Sequence, residues 1–245
     1  MVGVAAPPVR WSRRRSPPVP TLVIANKVYS SWSLRPWLAL RHAGIPFDEV
    51  LIPLDQPDTR ARILAHSPAG RVPVLIDGEV TVWESLAILE YAAERWPEAG
   101  IWPGERAARA HARAISAEMH SGFQALCAAL PMNLGRRYAA RDRGPAVAAD
   151  FARVTAIWRD ARARFGAGGP FLFGAFSGAD AMFAPVVTRL DTYAVAVDPE
   201  VRAYMEAVLG LPALAAWREA ALREPWIVPA DELDEAPAAT LRPQP

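Results

Sequence analysis

Cysteine is almost missing from this chain. Cys127 is the single cysteine among 245 residues. That excludes an intramolecular disulfide and gives no cysteine metal cluster. So few thiols fit a reducing cytosol. Excess charge of either sign is missing too. The formal net charge is +1, so no global field draws in nucleic acid or an anionic membrane. No apolar run is long enough to cross a bilayer, and no repeat of fixed period is visible. Apolar residues, by contrast, make up 52% of the chain. That supplies a substantial core, over a length that suits one large domain or two of ordinary size.

The two ends read differently from the rest. Residues 1–20 carry Pro7, Pro8, Pro17, Pro18, Pro20 and the run Arg13-Arg14-Arg15, with no acid. This composition predicts a disordered tail, and it shares the Arg-rich, acid-poor character of a transit peptide. Residues 229–245, rich in proline, alanine and acid, predict a flexible tail.

Between them the pattern changes once. Thr21 to Ala25 is a short apolar run, read as a buried strand. Ser31 to Ala43 has helical spacing through Leu34, Trp37, Leu38 and Arg41, and Gly44 with Pro46 ends it. Pro36 is tolerated best in a first turn, which predicts a helix start near Ser33. Phe47 to Ile52 reads as a strand and Thr59 to Ala65 as a short helix. Val72–Ile76 and Glu79–Trp83 flank Asp77-Gly78, which predicts a hairpin with a type I′ turn. Glu84 to Trp96 is helical. The order β-α-β-α-β-β-α implies a parallel pair with an added antiparallel edge. Pro97 to Glu105 reads as a linker. Beyond it the chain is helical: 106–130, 146–165, 177–195, 199–209 and 211–222. Ser177-Gly178-Ala179-Asp180 looks like a capping box with Asp in place of Glu or Gln. The expected domains are therefore 21–97 and an all-helical 106–228.

Three places bring polar groups to a strand end or a helix start. Ser30, Ser31 and Ser33 stand between a strand and a helix, where backbone N–H groups and the helix dipole favour an anion. A serine there either caps the helix or donates to a thiolate and lowers its pKa. Val72-Pro73 opens a hairpin strand, as a cis bond or as a plain strand-start proline. Glu84-Ser85 opens a helix after a strand. Its hydroxyl and first-turn N–H groups suit a carboxylate and its acid suits an ammonium, or the pair is an ordinary capped start.

In order and spacing these stretches resemble the glutathione transferase family. The resemblance is carried by Ser30-Ser31-Trp32-Ser33-Leu34-Arg35-Pro36-Trp37, Ser67-Pro68-Ala69-Gly70-Arg71-Val72-Pro73 and Trp83-Glu84-Ser85-Leu86. It implies a thioredoxin-like N-terminal domain with a mixed four-stranded sheet, followed by an α-helical bundle, α/β plus all-α. It implies glutathione as cosubstrate, no metal, a cytoplasmic location and a homodimer. In serine-type members the activating hydroxyl lies five residues before an arginine, which selects Ser30, with Ser31 next and Ser33 as the cap. Val72 is implied to pair with the cysteinyl backbone of glutathione, Glu84 and Ser85 with its γ-glutamyl end, and Arg71 with the far carboxylate. Asp180 matches a capping, structural aspartate.

The second substrate is then expected to be a small hydrophobic electrophile held by Trp32, Met119 and Phe123. Met119, His120, Phe123 and Cys127 share one face of an uninterrupted helix in this reading. His120 reads as structural and Cys127 as a small buried hydrophobe. The double serine is most similar to the zeta class, which includes maleylacetoacetate isomerases, yet Trp32 and Leu34 stand where those carry cysteine and tryptophan. Three functions follow: thiol transfer to an electrophile, glutathione-dependent cis-trans isomerisation, or binding without catalysis on the same fold.

Overall fold

The computed structural model describes residues 19–242. The expectation of a disordered tail over 1–20 lies outside the described residues except at Val19 and Pro20, and the Pro20 carbonyl accepts from Asp48 N at 2.9 Å. The first half runs β1 (Thr21–Ile24), α1 (Ser31–His42), β2 (Asp48–Leu51), α2 (Thr59–Leu64), β3 (Val74–Asp77), β4 (Val80–Trp83) and α3 (Ser85–Arg95). The sheet order is β2-β1-β3-β4. β1 and β2 are parallel, with Thr21 beside Asp48. β3 is antiparallel to both β1 and β4. This is the thioredoxin-like mixed sheet.

Strand alternation divides the apolar side chains. Leu22, Ile24 and Leu75 enter the main core, while Val23 and Val74 pack beneath α2 with Ile52 and Ile63. The hairpin turn differs from the type I′ expectation. Asp77 still pairs with Val80, so the loop is Gly78-Glu79, and only Gly78 has positive φ, at 60°. That is the type II′ pattern, in which the first loop residue alone needs left-handed backbone.

The second half is helical: α4 (Arg106–Ser121), α5 (Gln124–Ala129), α6 (Pro145–Phe165), α7 (Gly178–Thr192), α8 (Pro199–Leu209) and α9 (Pro212–Leu222). α7 is buried along nearly its whole length and packs on α1, α4 and α8. The segment read as a linker docks as it crosses. Ile101 and Trp102 are buried, and the Ile101 carbonyl accepts from Gly178 N.

Three further expectations are corrected. The helix 106–130 is two helices, because Gly122 is extended and Phe123 takes φ 59°. A Cβ at Gly122 would lie 2.9 Å from the Glu118 carbonyl oxygen, so only glycine lets the chain turn there. Pro36 is the sixth residue of α1, not a first-turn residue. Burial of α1 along Ser33–Leu40 outweighs the missing hydrogen bond, as tertiary packing commonly overrides local preference. The 229–245 tail is anchored as far as Arg242. Its two-residue strand β6 (Ala239–Thr240) pairs with β5 (Arg136–Arg137), and Arg242 is buried. Composition indicates how little core such a segment can form by itself, not what it can pack against.

Candidate functional site

One cleft of about 840 Å³ opens between the sheet end and the helices. The residues after β1 form its floor. Lys27, Val28 and Tyr29 are held by distant groups: Glu224 accepts from Lys27 N at 2.8 Å, and Trp217 Nε1 donates to the Lys27 carbonyl at 2.9 Å. Tyr29 donates its hydroxyl proton to Glu232 at 2.6 Å and accepts from Arg242 at 2.9 Å. Burial, reinforced by Glu232, pushes the Tyr29 phenol well up. It therefore acts as a fixed strut. This anchoring presents the start of α1 to the cleft.

At that start Ser30 pairs with Ser33, and Ser31 pairs with Arg189. Ser30, not Ser33, is the N-cap: its Oγ accepts from Ser33 N at 3.2 Å. The Ser30 and Ser33 hydroxyls share a hydrogen bond of 2.8 Å, and Ser33 Oγ also accepts from Ala25 N at 3.1 Å. Either hydroxyl can donate. When Ser33 donates, Ser30 is a double acceptor and its own proton is free to point into the cleft. Ser31 Oγ accepts from Arg189 Nη2 at 3.3 Å, which leaves its proton free as well. Both Ser30 and Ser31 line the cleft. The N-terminus of α1 adds positive potential at the same place.

Across the cleft stand Arg71, Val72, Pro73, Trp83 and Glu84. The Val72-Pro73 bond is cis. Glu84 has φ 70°, a left-handed conformation that a glutamate adopts only under constraint. Such outliers gather at functional sites. Ser85 follows it but is fully buried. Its hydroxyl lies 4.0 Å from Met182 Sδ, and it is not part of the cleft wall.

The apolar wall departs from expectation. Trp32 is 40% exposed and faces the cleft. Met119 lines only a smaller adjoining cavity. Phe123 enters the core, because the break at Gly122 turns it off the shared face. In their place the wall holds His120, Gln124, Cys127, Ala128 and Pro131. His120 sits edge-on to Trp32, with ring centres 5.2 Å apart, and its Nε2 lies 3.5 Å from a Glu84 carboxylate oxygen. Cys127 is half-buried and faces the cleft. Arg189 and Asp231 also reach it, from α7 and from the C-terminal segment. Their one sequence signal was an arginine inside the apolar run of 181–190. Asp180 fulfils its capping role. It accepts from Ser177 N at 2.8 Å and Leu172 N at 3.1 Å, and burial raises its carboxyl to about 6. Among the described residues no group of His, Cys, Asp and Glu is placed to hold a metal ion, and no helix is long and apolar enough to cross a membrane.

Comparison with known proteins agrees with this fold. The model for the glutathione S-transferase N-terminal domain matches residues 29–95, and that for the C-terminal domain matches residues 144–220. A probable maleylacetoacetate isomerase of Caenorhabditis elegans is 37% identical over 97 residues, 39% of this chain and 44% of that protein. A dichloromethane dehalogenase of Methylorubrum extorquens is 40% identical over 62 residues, 24% of this chain and 22% of that protein. The chain thus spans less than half the length of these curated relatives. A glutathione transferase homologue from Burkholderia, solved with bound glutathione, has a TM-score of 0.63 at 23% identity, covering 83% of this chain and 98% of that one. Ure2p in complex with glutathione has a TM-score of 0.64 at 21% identity, covering 84% and 95%. These two share the fold. The family models together match more than half of the sequence, on both sides of the cleft, and the chain belongs to the glutathione S-transferase family.

Proposed function

We propose that the cleft binds glutathione and ionises its thiol for attack on a second substrate held against Trp32 and the α4–α5 wall. The observation that carries this reading is the Ser30 hydroxyl. It accepts from Ser33 N and shares a hydrogen bond with the Ser33 hydroxyl at a helix N-terminus, opposite the Val72 backbone and Glu84 in one cleft. When Ser33 donates, the Ser30 proton is free for a thiolate. A free thiol has a pKa near 8.5 and is mostly protonated at neutral pH. Lowering it by about two units requires about 2.7 kcal/mol of preference for the thiolate. A hydrogen bond to a charged group supplies about 1.5–3 kcal/mol, and a helix N-terminus about 0.3–1 kcal/mol more. The two together reach what is needed without a metal.

In this reading Glu84 takes the γ-glutamyl ammonium and the exposed Arg71 takes the far carboxylate. Ser31 is the alternative thiol donor. The protein works as a homodimer in a reducing cytosol, and Val80 and Trp83, exposed on edge strand β4, support a contact there. Glutathione-dependent isomerisation is the second reading. It is favoured by the 37% identity over 97 residues to the isomerase relative and weighed against by Trp32 and Leu34. The test is an equilibrium titration with glutathione. Saturable binding of one glutathione per chain is expected, and absence of binding leaves only a scaffold without this chemistry.

A further inference from the structure

Beside the main cleft lies a smaller cavity of about 180 Å³. Ser31, Trp32, His120, Gln124, Cys127 and Arg189 line both spaces. Arg35 joins them only in the smaller one. Two buried arginines therefore face one void.

Neither has the partner that burial calls for. Arg35 is 2% exposed, and its Nε and Nη1 have no hydrogen-bond partner among the described residues. Its guanidinium carbon lies 4.1 Å above the Trp32 ring, which offsets part of the charge but satisfies no N–H. Arg189 is 5% exposed. Its Nε donates to the Leu130 carbonyl at 2.7 Å and its Nη2 to Ser31, while Nη1 has no partner among the described residues. Asp231 attracts Arg189 only from beyond ion-pair distance. Burial and the like charge of Arg189 push the Arg35 guanidinium down to about 9. An unpaired buried charge costs several kcal/mol, and charged donors left open call for an acceptor. The arrangement is that of a receptor for an anion with two acceptor oxygens, which an arginine fork matches.

We infer that Arg35 and Arg189 bind the carboxylate of the second substrate, so that the electrophile is an acid with its reactive carbon toward Ser30 and Ser31, not a purely apolar molecule. This rests on the reading above, that glutathione occupies the main cleft. Trp32 then covers the substrate's apolar body, and Gln124 and Cys127 form the junction of the two spaces.

The probes are 4-(chloromethyl)benzoate and its methyl ester, each with glutathione. In both the thiolate sulfur forms a bond to the benzylic carbon as chloride leaves with the C–Cl electron pair, and the carboxyl group takes no part. The acid is expected to have a kcat/KM about tenfold or more above the ester, corrected for their uncatalysed rates. Arg189→Gln is expected to bring that ratio to about one, and Arg189→Lys to keep part of it. Unreactive 4-methylbenzoate is expected to bind wild type about tenfold tighter than 4-methylbenzamide, with or without glutathione. Equal treatment of acid and ester by wild type, or a ratio unchanged in Arg189→Gln, overturns the inference. So does an equal loss for both probes, which would place the arginines on the thiolate. Should glutathione itself fail to bind, the proposed function falls, and the benzoate and benzamide titration still decides the arginine site.

Discussion

A hydroxyl can stabilise a thiolate only if its proton is free, and the groups beneath it decide that. Ser33 takes the Ala25 N–H and can hand its own proton to Ser30. Ser33→Ala removes that donor and leaves the Ala25 amide unsatisfied in the core. The expected cost is about 1–3 kcal/mol of stability, read by urea unfolding. A smaller rise in the pKa of bound glutathione than Ser30→Ala gives is also expected, and an unchanged stability would contradict the network. At this scale the sequence was legible where chemistry sits next to a strand end: Ser30, Ser31, Arg71, Val72 and Glu84 all reach the cleft. It was not legible where a side chain arrives from far along the chain. Arg189 and Asp231 lie more than 150 residues from Ser30, and nothing in their own neighbourhood marks a cleft. The cap was placed at Ser33 and not at Ser30 because Pro36 was placed in the first turn, which moved the helix start by two residues.

At the scale of elements, α7 is the mast of the helical half, and Asp180 fixes its N-terminus. Its carboxyl is raised from 3.8 to about 6 because burial disfavours the charge more than its hydrogen bonds favour it. A folded pKa above the unfolded one means the native state holds the proton more tightly. The stabilisation is therefore full below about pH 3.8 and is lost as pH rises to about 6. Asp180→Asn removes the titration. The stability gap between wild type and Asp180→Asn is expected to shrink by about 2–3 kcal/mol from pH 4 to pH 7, followed by denaturant unfolding. A gap that widens over that range would contradict the assignment. The capping box was legible because it is local. The break between α4 and α5 was not, because Gly122 is a mild signal alone and only the contact with Glu118 makes it decisive.

Across the whole molecule, the C-terminal segment ties the two halves together at the site. Glu232 and Arg242 both grip Tyr29, next to Ser30, and Asp231 lines the cleft. Truncation after Val228 removes these groups and retains Glu224. Faster amide exchange at Lys27–Ser31 and glutathione binding weaker by about tenfold are expected. Unchanged exchange there would show that Glu224 and Trp217 suffice. The division into a mixed-sheet half and a helical half was legible from periodicity, hairpin and linker, and its thioredoxin-like character from the family resemblance. The strap was not, since a segment poor in large apolar residues contributes here through hydrogen bonds to a distant loop.

The proposed function turns on one property, a glutathione thiol held ionised at the start of α1. The measurement that reaches it most directly is the ultraviolet thiolate absorbance of bound glutathione against pH, for wild type, Ser30→Ala and Ser31→Ala. Wild type is expected to show a thiol pKa about two units below that of free glutathione, Ser30→Ala to bind glutathione with most of that shift lost, and Ser31→Ala to keep it. A bound thiol that titrates like the free one in wild type would contradict the account.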